Sequence, residues 1–161
     1  MYRLINDSLR ASICEQIGHE LYNANLYLYI CAFLRNKGLD NTAKHFEGQH
    51  AEETEHAKEF VKLLTDLDAP LTIPEIDEVS ITFNTIWDIA KAYVDREVLT
   101  TSCINEIKNL AMVEGSAVVE EKMREMISKQ QKEYEEATGF MDKAELMPEW
   151  WQWAIYDGSS G

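Results

Sequence analysis

The chain has 161 residues, of which 29 are acidic and 15 are basic, so its formal net charge at pH 7 is -14. This length suits one domain with a substantial hydrophobic core. The charge argues against a nucleic-acid partner, which requires a basic face, and suits a protein that attracts cations. No run of about 18 apolar residues is present, so we expect no membrane span.

Cysteine usage favours a reducing compartment. Cys14, Cys31 and Cys103 are isolated and form no CxxC pair, which argues against a zinc ribbon or a rubredoxin-type iron site. Three single thiols fit a cytoplasmic location. The first residues, MYRLINDSLRASICEQIG, also lack the continuous apolar segment expected of a signal peptide.

The first half of the chain predicts a helical hairpin. A first helix is expected from about Ile5 to Asn36, with Gly38 ending it. Asp40 is expected to cap a second helix that runs to about Leu67. The apolar stripe of the first helix comprises Leu9, Ile13, Ile17, Leu21, Leu28 and Cys31.

A long connection follows the first hairpin. Residues 68–83 contain Pro70 and Pro74 and several β-branched residues, and they are far longer than a hairpin turn. Such a length suits a crossover that runs the whole height of a helical bundle.

The second half predicts another hairpin. Thr85 and Asp88 match a capping box for a third helix, and Gly115 is expected to form the corner before a fourth helix that ends near Lys143. We therefore predict an all-α fold: a four-helix bundle over residues 1–147, a short aromatic helix over 148–157 and a disordered tail over 158–161.

Polar residues repeat between the two hairpins at one offset. Glu20 and His56 each lie 18 residues from Gly38, on opposite sides, which is about 27 Å along a helix. The second hairpin repeats these distances around Gly115. At an offset of 77, Glu20 corresponds to Glu97, Glu53 to Gln130, His56 to Glu133, and Gly38 to Gly115. Four helices therefore present six polar side chains at one level.

These residue types indicate a metal centre. Carboxylate and imidazole groups bind Fe²⁺ and Fe³⁺, and buried carboxylates at this density would repel one another without cations. Glu53 can bridge two ions, with Glu20 and His56 completing one site. The predicted metal ligands are Glu20, Glu53, His56, Glu97, Gln130 and Glu133.

Tyr27 lies seven residues after Glu20, on the same helix face. Its hydroxyl is in a position to bond a metal ligand, or the ring to donate an electron during oxygen chemistry. A packed core tyrosine with a satisfied hydroxyl is an equally good reading of the spacing.

The chain resembles the bacterial non-haem ferritins over nearly its whole length. The segments HELYNANLYLY, HAEETEH, YVDREVLTTSCINEI and SKQQKE resemble motifs of the family's four helices. The resemblance implies a ferritin-like bundle with ferroxidase activity: Fe²⁺ is oxidised by O₂ or H₂O₂ at a centre of two irons per subunit, and ferric mineral is stored in a homo-oligomeric shell of 24 subunits. It places Tyr27 at the catalytic site tyrosine, and the iron ligands at Glu20, Glu53, His56 and Glu97, with Gln130 and Glu133 beside the second iron.

Related families fit less well. Bacterioferritins carry a second Glu-x-x-His on the fourth helix, where this chain has Glu136, and bind haem through a methionine, where it has Thr54. We therefore expect no haem. Rubrerythrins need a cysteine-rich iron module. Within the ferritins, Lys129 and Lys132 stand where acids of a third iron site are expected, so that site should be weak or absent.

Two other functions remain open. One is a di-iron oxygenase or peroxidase that acts on a substrate other than iron, which an apolar pocket beside the centre would favour. The other is a non-storage bundle that binds a partner through its aromatic tail, since tryptophans are strong interface anchors. We expect Trp150, Trp151, Trp153 and Ile155 to form an apolar patch that assembly buries.

Overall fold

The structure is a computed structural model that describes residues 4–159. The described chain forms five helices: α1 (Asp7–Asn36), α2 (Asp40–Asp66), α3 (Ile86–Glu114), α4 (Ala117–Leu146) and α5 (Trp150–Asp157). Helix α1 packs along α2 and α3 packs along α4, and α1 also faces α3. This confirms the predicted all-α architecture of a four-helix bundle with one long crossover and a short C-terminal helix.

Glycine forms both hairpin corners, as predicted. Gly38 and Gly115 have φ angles of 76° and 73°, in the left-handed region that side chains with a Cβ disfavour. At the start of α3 the predicted capping box is present: the Asp88 amide donates to the Thr85 hydroxyl, and the Thr85 amide donates to the Asp88 carboxylate.

The predicted cap of α2 is wrong. Asp40 is the first helical residue, and Leu39 occupies the N-cap position without a side-chain bond. A residue distant in sequence accepts a hydrogen bond from this helix end instead: the Thr42 amide donates to the Asp157 carboxylate at 2.6 Å. The Asn41 side chain also donates to the Asp157 carbonyl. Helix α5 thus supplies the cap that local sequence does not.

The crossover follows α1 for much of its length. It passes over Gly18, where a Cβ would lie 2.6 Å from the Pro74 ring, and later accepts a hydrogen bond from the Tyr29 hydroxyl at the Ile81 carbonyl. Residues 69–83 form neither helix nor strand. The connection therefore returns the chain along the bundle so that α3 can begin beside the start of α2.

Two clusters of apolar side chains lie on either side of the level predicted for the metal. The tail-side cluster, which contacts α5, includes Leu26, Tyr27, Phe46, Tyr93, Ala137 and Trp153. The opposite cluster includes Ile13, Ile17, Phe60, Ile104, Met123 and Met126. On every long helix the predicted ligands fall between the two clusters, so the polar level crosses an otherwise apolar interior.

Two expectations about apolar side chains need correction. Leu28, assigned to the apolar stripe of α1, is 50% exposed. The tryptophans of the tail do not form one exposed patch, because Trp153 is 1% exposed within its own subunit and donates its indole N–H to the Thr42 hydroxyl. Trp151 and Ile155 do face outward, with 65% and 75% exposure.

All three cysteines carry free thiols. None of the helices in the described range combines the length and hydropathy needed to cross a membrane. Gly158 ends α5 in a left-handed conformation, and the Ser159 hydroxyl donates to Asp157. Residues 160 and 161, the end of the predicted disordered tail, lie outside the described residues.

Candidate metal centre

The six predicted ligands meet at one level in the middle of the bundle, and all are buried. Oxygen and nitrogen atoms of Glu20, Glu53 and His56 lie within 4.8 Å of one another, and so do carboxylate oxygens of Glu53, Glu97 and Glu133. Glu53 belongs to both groups. The arrangement thus offers two adjacent positions for a cation that share one carboxylate.

The first group joins α1 and α2. The His56 Nδ1 atom lies 3.7 Å from a Glu20 oxygen and 3.5 Å from a Glu53 oxygen. The other Glu20 oxygen accepts a hydrogen bond of 3.1 Å from the Gln16 side chain, one turn earlier on α1. Gln16 therefore fixes the orientation of Glu20.

The second group joins α2, α3 and α4. The Tyr27 hydroxyl donates to one Glu97 oxygen at 2.6 Å, and the Gln130 side-chain amide donates to the other. Glu133 lies one turn beyond Gln130 and is 5% exposed. In this arrangement Gln130 and Tyr27 hold the Glu97 carboxylate from both sides.

Burial of several carboxyls at one level raises their pKa values. Burial and the negative charge of Glu20 raise the pKa of Glu53 well above its usual range. Burial also raises the pKa of Glu97, although the bonds from Tyr27 and Gln130 oppose the shift. For Glu133, burial and a bond with Glu52 raise the pKa to about 9. The Glu133 carboxyl is therefore protonated at neutral pH.

Glu20 and His56 shift in the opposite sense, towards an ion pair. Burial works to raise the pKa of Glu20, but the neighbouring Glu53 carboxyl and the nearby His56 imidazole with its positive charge leave it below the usual value. Burial works to lower the pKa of His56, but the adjacent Glu20 carboxylate and its negative charge raise it. Both shifts favour a positive His56 imidazolium beside a negative Glu20 carboxylate.

Several oxygen and nitrogen atoms at this level that could bind a metal have no hydrogen-bond partner within the described residues. They are Glu20 Oε2, both oxygens of Glu53, His56 Nδ1 and Glu133 Oε2. A buried polar atom without a partner is destabilising by about 1–3 kcal/mol, so a group of them at one place needs an explanation. Iron ions fit, because carboxylate oxygen and imidazole nitrogen are donors that iron accepts and the atoms are already gathered.

The structure also shows supporting residues that sequence analysis missed. Asn23 donates to the Thr100 hydroxyl at 2.8 Å and accepts from Arg96, all next to the Glu97 level. Asn23 and Thr100 are separated by 77 residues, the same offset as the ligand pairs, so extending the repeat beyond charged residues would have found them. Gln16 lies four residues before Glu20, and this spacing places both side chains on one face of α1, so their contact was also predictable from the sequence.

The two lysines that depart from the ferritin pattern lie on α4. The Lys129 ammonium is 2.9 Å from a Glu59 oxygen, which also pairs with Lys122 at 3.3 Å. The bond to Glu59 raises the pKa of Lys129 above its usual value. The positive charge of Lys129 is thus engaged by an acid of α2 one turn beyond His56.

Comparison with known proteins places the chain in a family. A family model described as a ferritin-like domain matches residues 10–147. The chain is 32% identical to ferritin BfrB of Mycolicibacterium smegmatis over 129 residues, which cover 80% of this chain and 71% of the relative. It is 25% identical to a bacterial non-heme ferritin of Campylobacter jejuni over 84% of this chain and 81% of the relative.

The fold is shared with solved structures. An open-pore ferritin of Archaeoglobus fulgidus superposes with a TM-score of 0.90 at 20% identity, covering 95% of this chain and 93% of that one. A ferritin of Chlorobium tepidum superposes with a TM-score of 0.87 over 94% of this chain and 93% of that one. Since the family model spans most of the sequence, the chain belongs to the ferritin-like domain family.

Proposed function

We propose that this protein is an iron-storage ferritin whose buried centre oxidises Fe²⁺. The proposal rests on buried carboxylate and imidazole atoms that have no hydrogen-bond partners and could bind metal. They form two groups that share Glu53. Two Fe²⁺ ions are the substrate. Each loses one electron, and H₂O₂ or O₂ accepts the pair; with H₂O₂ and two protons the products are two Fe³⁺ and two water molecules.

The residues have separable roles in this proposal. Glu53 would hold both ions, Glu20 and His56 would complete the first position, and Glu97 and Glu133 the second. Gln16, Tyr27 and Gln130 already restrain Glu20 and Glu97. Such preorganisation lowers the cost of binding, because few side chains must reorient when the substrate arrives.

Substrate binding would also displace protons. The pKa of Glu133 is raised to about 9, so this carboxyl, which would bind iron as an anion, carries a proton near pH 7, and the pKa values of Glu53 and Glu97 are raised in the same direction. Iron affinity should therefore increase with pH, as it does wherever ligands must lose protons to bind.

Storage needs a container, and the named relatives are ferritins. We infer a cytoplasmic homo-oligomeric shell, with 24 subunits as the expected number. The net charge of -14 per chain gives such a shell a field that attracts cations. Sedimentation velocity gives the assembled mass directly, and a monomer or dimer in solution would contradict the storage proposal.

An anaerobic Fe²⁺ titration followed by oxygen tests the centre. Wild-type protein should bind two Fe²⁺ per subunit and oxidise them rapidly, whereas Glu53→Ala should lose nearly all fast oxidation because both positions lose a ligand. Glu55→Ala is the matched control, since Glu55 is an exposed acid on the same helix that pairs with Lys58. An unchanged initial rate in Glu53→Ala would overturn the assignment.

One observation favours a second candidate, a di-iron oxygenase. A groove of about 410 Å³ between α3 and α4 is lined by apolar parts of Val98, Ile127 and Tyr134 and reaches Gln130, which bonds Glu97. Iron loading separates the two functions. A store continues to take up and oxidise Fe²⁺ far beyond two ions per subunit, whereas an oxygenase stops there.

A further inference from the structure

The tail-side cluster contains a tyrosine whose hydroxyl is not needed for packing. Tyr93 is fully buried, between Phe46 at 5.1 Å and Phe140 at 6.0 Å by ring centroids. Its hydroxyl oxygen lies 3.2 Å from the His45 Nε2 atom. A phenylalanine would fill the same space without burying a polar pair, which is unfavourable in an apolar core unless the two groups satisfy each other.

Tyr93 is in contact with the metal centre through one intermediate ring. The Tyr93 and Tyr27 rings meet edge to face with centroids 5.4 Å apart. The Tyr27 hydroxyl in turn donates a hydrogen bond to Glu97, a predicted metal ligand. The rate of electron transfer falls steeply with distance, so rings in contact provide favourable steps for electrons that travel to the centre.

The same row of rings continues to the surface. Phe140 lies 5.0 Å from Trp153, and Trp153 lies 5.1 Å from Tyr156 by ring centroids. Tyr156 is 48% exposed. Tyrosine and tryptophan are the side chains that lose an electron most readily among the aromatic residues, and they stand at both ends of the row.

His45 connects the Tyr93 hydroxyl to an open cavity. It lines a cavity of about 550 Å³ at the α5 end of the bundle, together with Glu136, Lys143 and Asp157. Burial lowers the pKa of His45, against the opposing charges of Glu136 and Glu52. Its ring is therefore neutral near pH 7 and able to take a proton from the phenol.

We propose that Tyr93 is a redox-active tyrosine that relays electrons from Tyr156 and Trp153 of α5 to the metal centre, with His45 as the base that takes its proton. The relay rests on the proposed ferroxidase function, which supplies the oxidant. It would act when iron is scarce and peroxide is present, because one Fe²⁺ cannot supply both electrons that H₂O₂ requires.

The reaction balances with one iron and one tyrosine. Fe²⁺ loses one electron and the relay supplies the second, the O–O bond of H₂O₂ breaks, and the oxygens leave as water and hydroxide. The phenol that is finally oxidised is Tyr156, whose proton joins one of these oxygens through solvent. His45 returns its proton to Tyr93, which is restored.

Radical detection after iron-limited mixing tests the relay. Metal-free oligomer would be mixed with less than one Fe²⁺ per subunit and excess H₂O₂, frozen, and examined by electron paramagnetic resonance, with oxidation of Tyr156 and Trp153 mapped by peptide mass spectrometry. Tyr93→Phe, which retains the ring, should lose most of the tyrosyl signal and most of the Tyr156 oxidation. His45→Gln should slow radical formation.

Trp151→Phe is the control, because Trp151 is an exposed neighbour on α5. Its signal should match that of wild type. If Tyr93→Phe gives the wild-type signal and the wild-type oxidation of Tyr156, the relay is refuted, whether or not the iron chemistry is correct. If wild-type protein oxidises no Fe²⁺ at all, the ferroxidase proposal fails and the relay with it.

Discussion

The substitution Glu133→Gln tests whether the metal-free centre holds a protonated carboxyl. Burial and the bond with Glu52 raise the pKa of Glu133 to about 9, whereas its ordinary value is 4.5. Between these two pH values the folded chain keeps a proton that the unfolded chain has lost. The free energy of unfolding therefore falls as pH rises from about 4.5 towards 9, and the loss is complete only above the folded pKa.

The size of this effect follows from the shift. One proton of difference changes the free energy of unfolding by about 1.4 kcal/mol per pH unit. At pH 7 the accumulated destabilisation from Glu133 is about 3 kcal/mol, because the pH then lies about 2.5 units above the ordinary pKa of the carboxyl. Glutamine does not titrate, so the variant should be more stable than wild type at pH 7 in the absence of metal, and its stability should depend less on pH.

Chemical denaturation at pH 5, 6, 7 and 8 measures the difference. The proteins would be freed of metal with a chelator and compared at one subunit concentration, because assembly contributes to apparent stability. Glu135→Gln provides the control, since Glu135 is an exposed acid on the same helix. If the curves of wild type and Glu133→Gln run parallel with pH, Glu133 is ionised in both states and the reasoning about the centre is wrong.

The remaining predictions concern metal binding and assembly. His56→Ala should weaken one of the two cation positions and leave the other partly able to bind, which calorimetric titration with Zn²⁺ would show as a loss of one strong site. Wild-type crystals soaked in Fe²⁺ should show two metal peaks per subunit, and the double change Lys129→Glu with Lys132→Glu should add a third. Truncation after Met147 removes a buried tryptophan and the cap of α2, so the free energy of unfolding should fall by about 3 kcal/mol or more, and sedimentation should show a smaller assembly; an intact shell of unchanged stability would contradict this.

The depth of the centre was predictable because helices convert sequence separation into length. Glu20 and His56 lie at equal distances from Gly38, and the structure brings their side chains to within 3.7 Å of each other. The second hairpin repeats the pattern, so the offset of 77 placed residues of α3 and α4 at the same level. The contact between Asn23 and Thr100, which have that separation, shows that the two hairpins face each other in register.

The end of the bundle was not predictable in the same way. The cap of α2 comes from Asp157, which is 115 residues away from Thr42 in sequence. Capping preferences are local, so they pointed to Asp40 instead. Burial of Trp153 likewise depends on how α5 folds back against α2 and α4. Composition alone indicated only that the three tryptophans should be buried somewhere.

The placement of the two apolar clusters explains how a bundle tolerates such a centre. Raised pKa values and donor atoms without partners both destabilise the metal-free fold at one level. Each long helix continues past that level in both directions into well-buried apolar contacts, with Phe46 and Trp153 on one side and Phe60 and Ile104 on the other. Burying a large side chain contributes about 1.5–3 kcal/mol, so a few such residues in each cluster offset the polar level. The helices therefore need not separate to relieve the repulsion between carboxyls. The destabilisation stays at the centre, where a bound cation would remove it, so in the proposed function the affinity for iron would depend on how firmly the two ends of the bundle are packed.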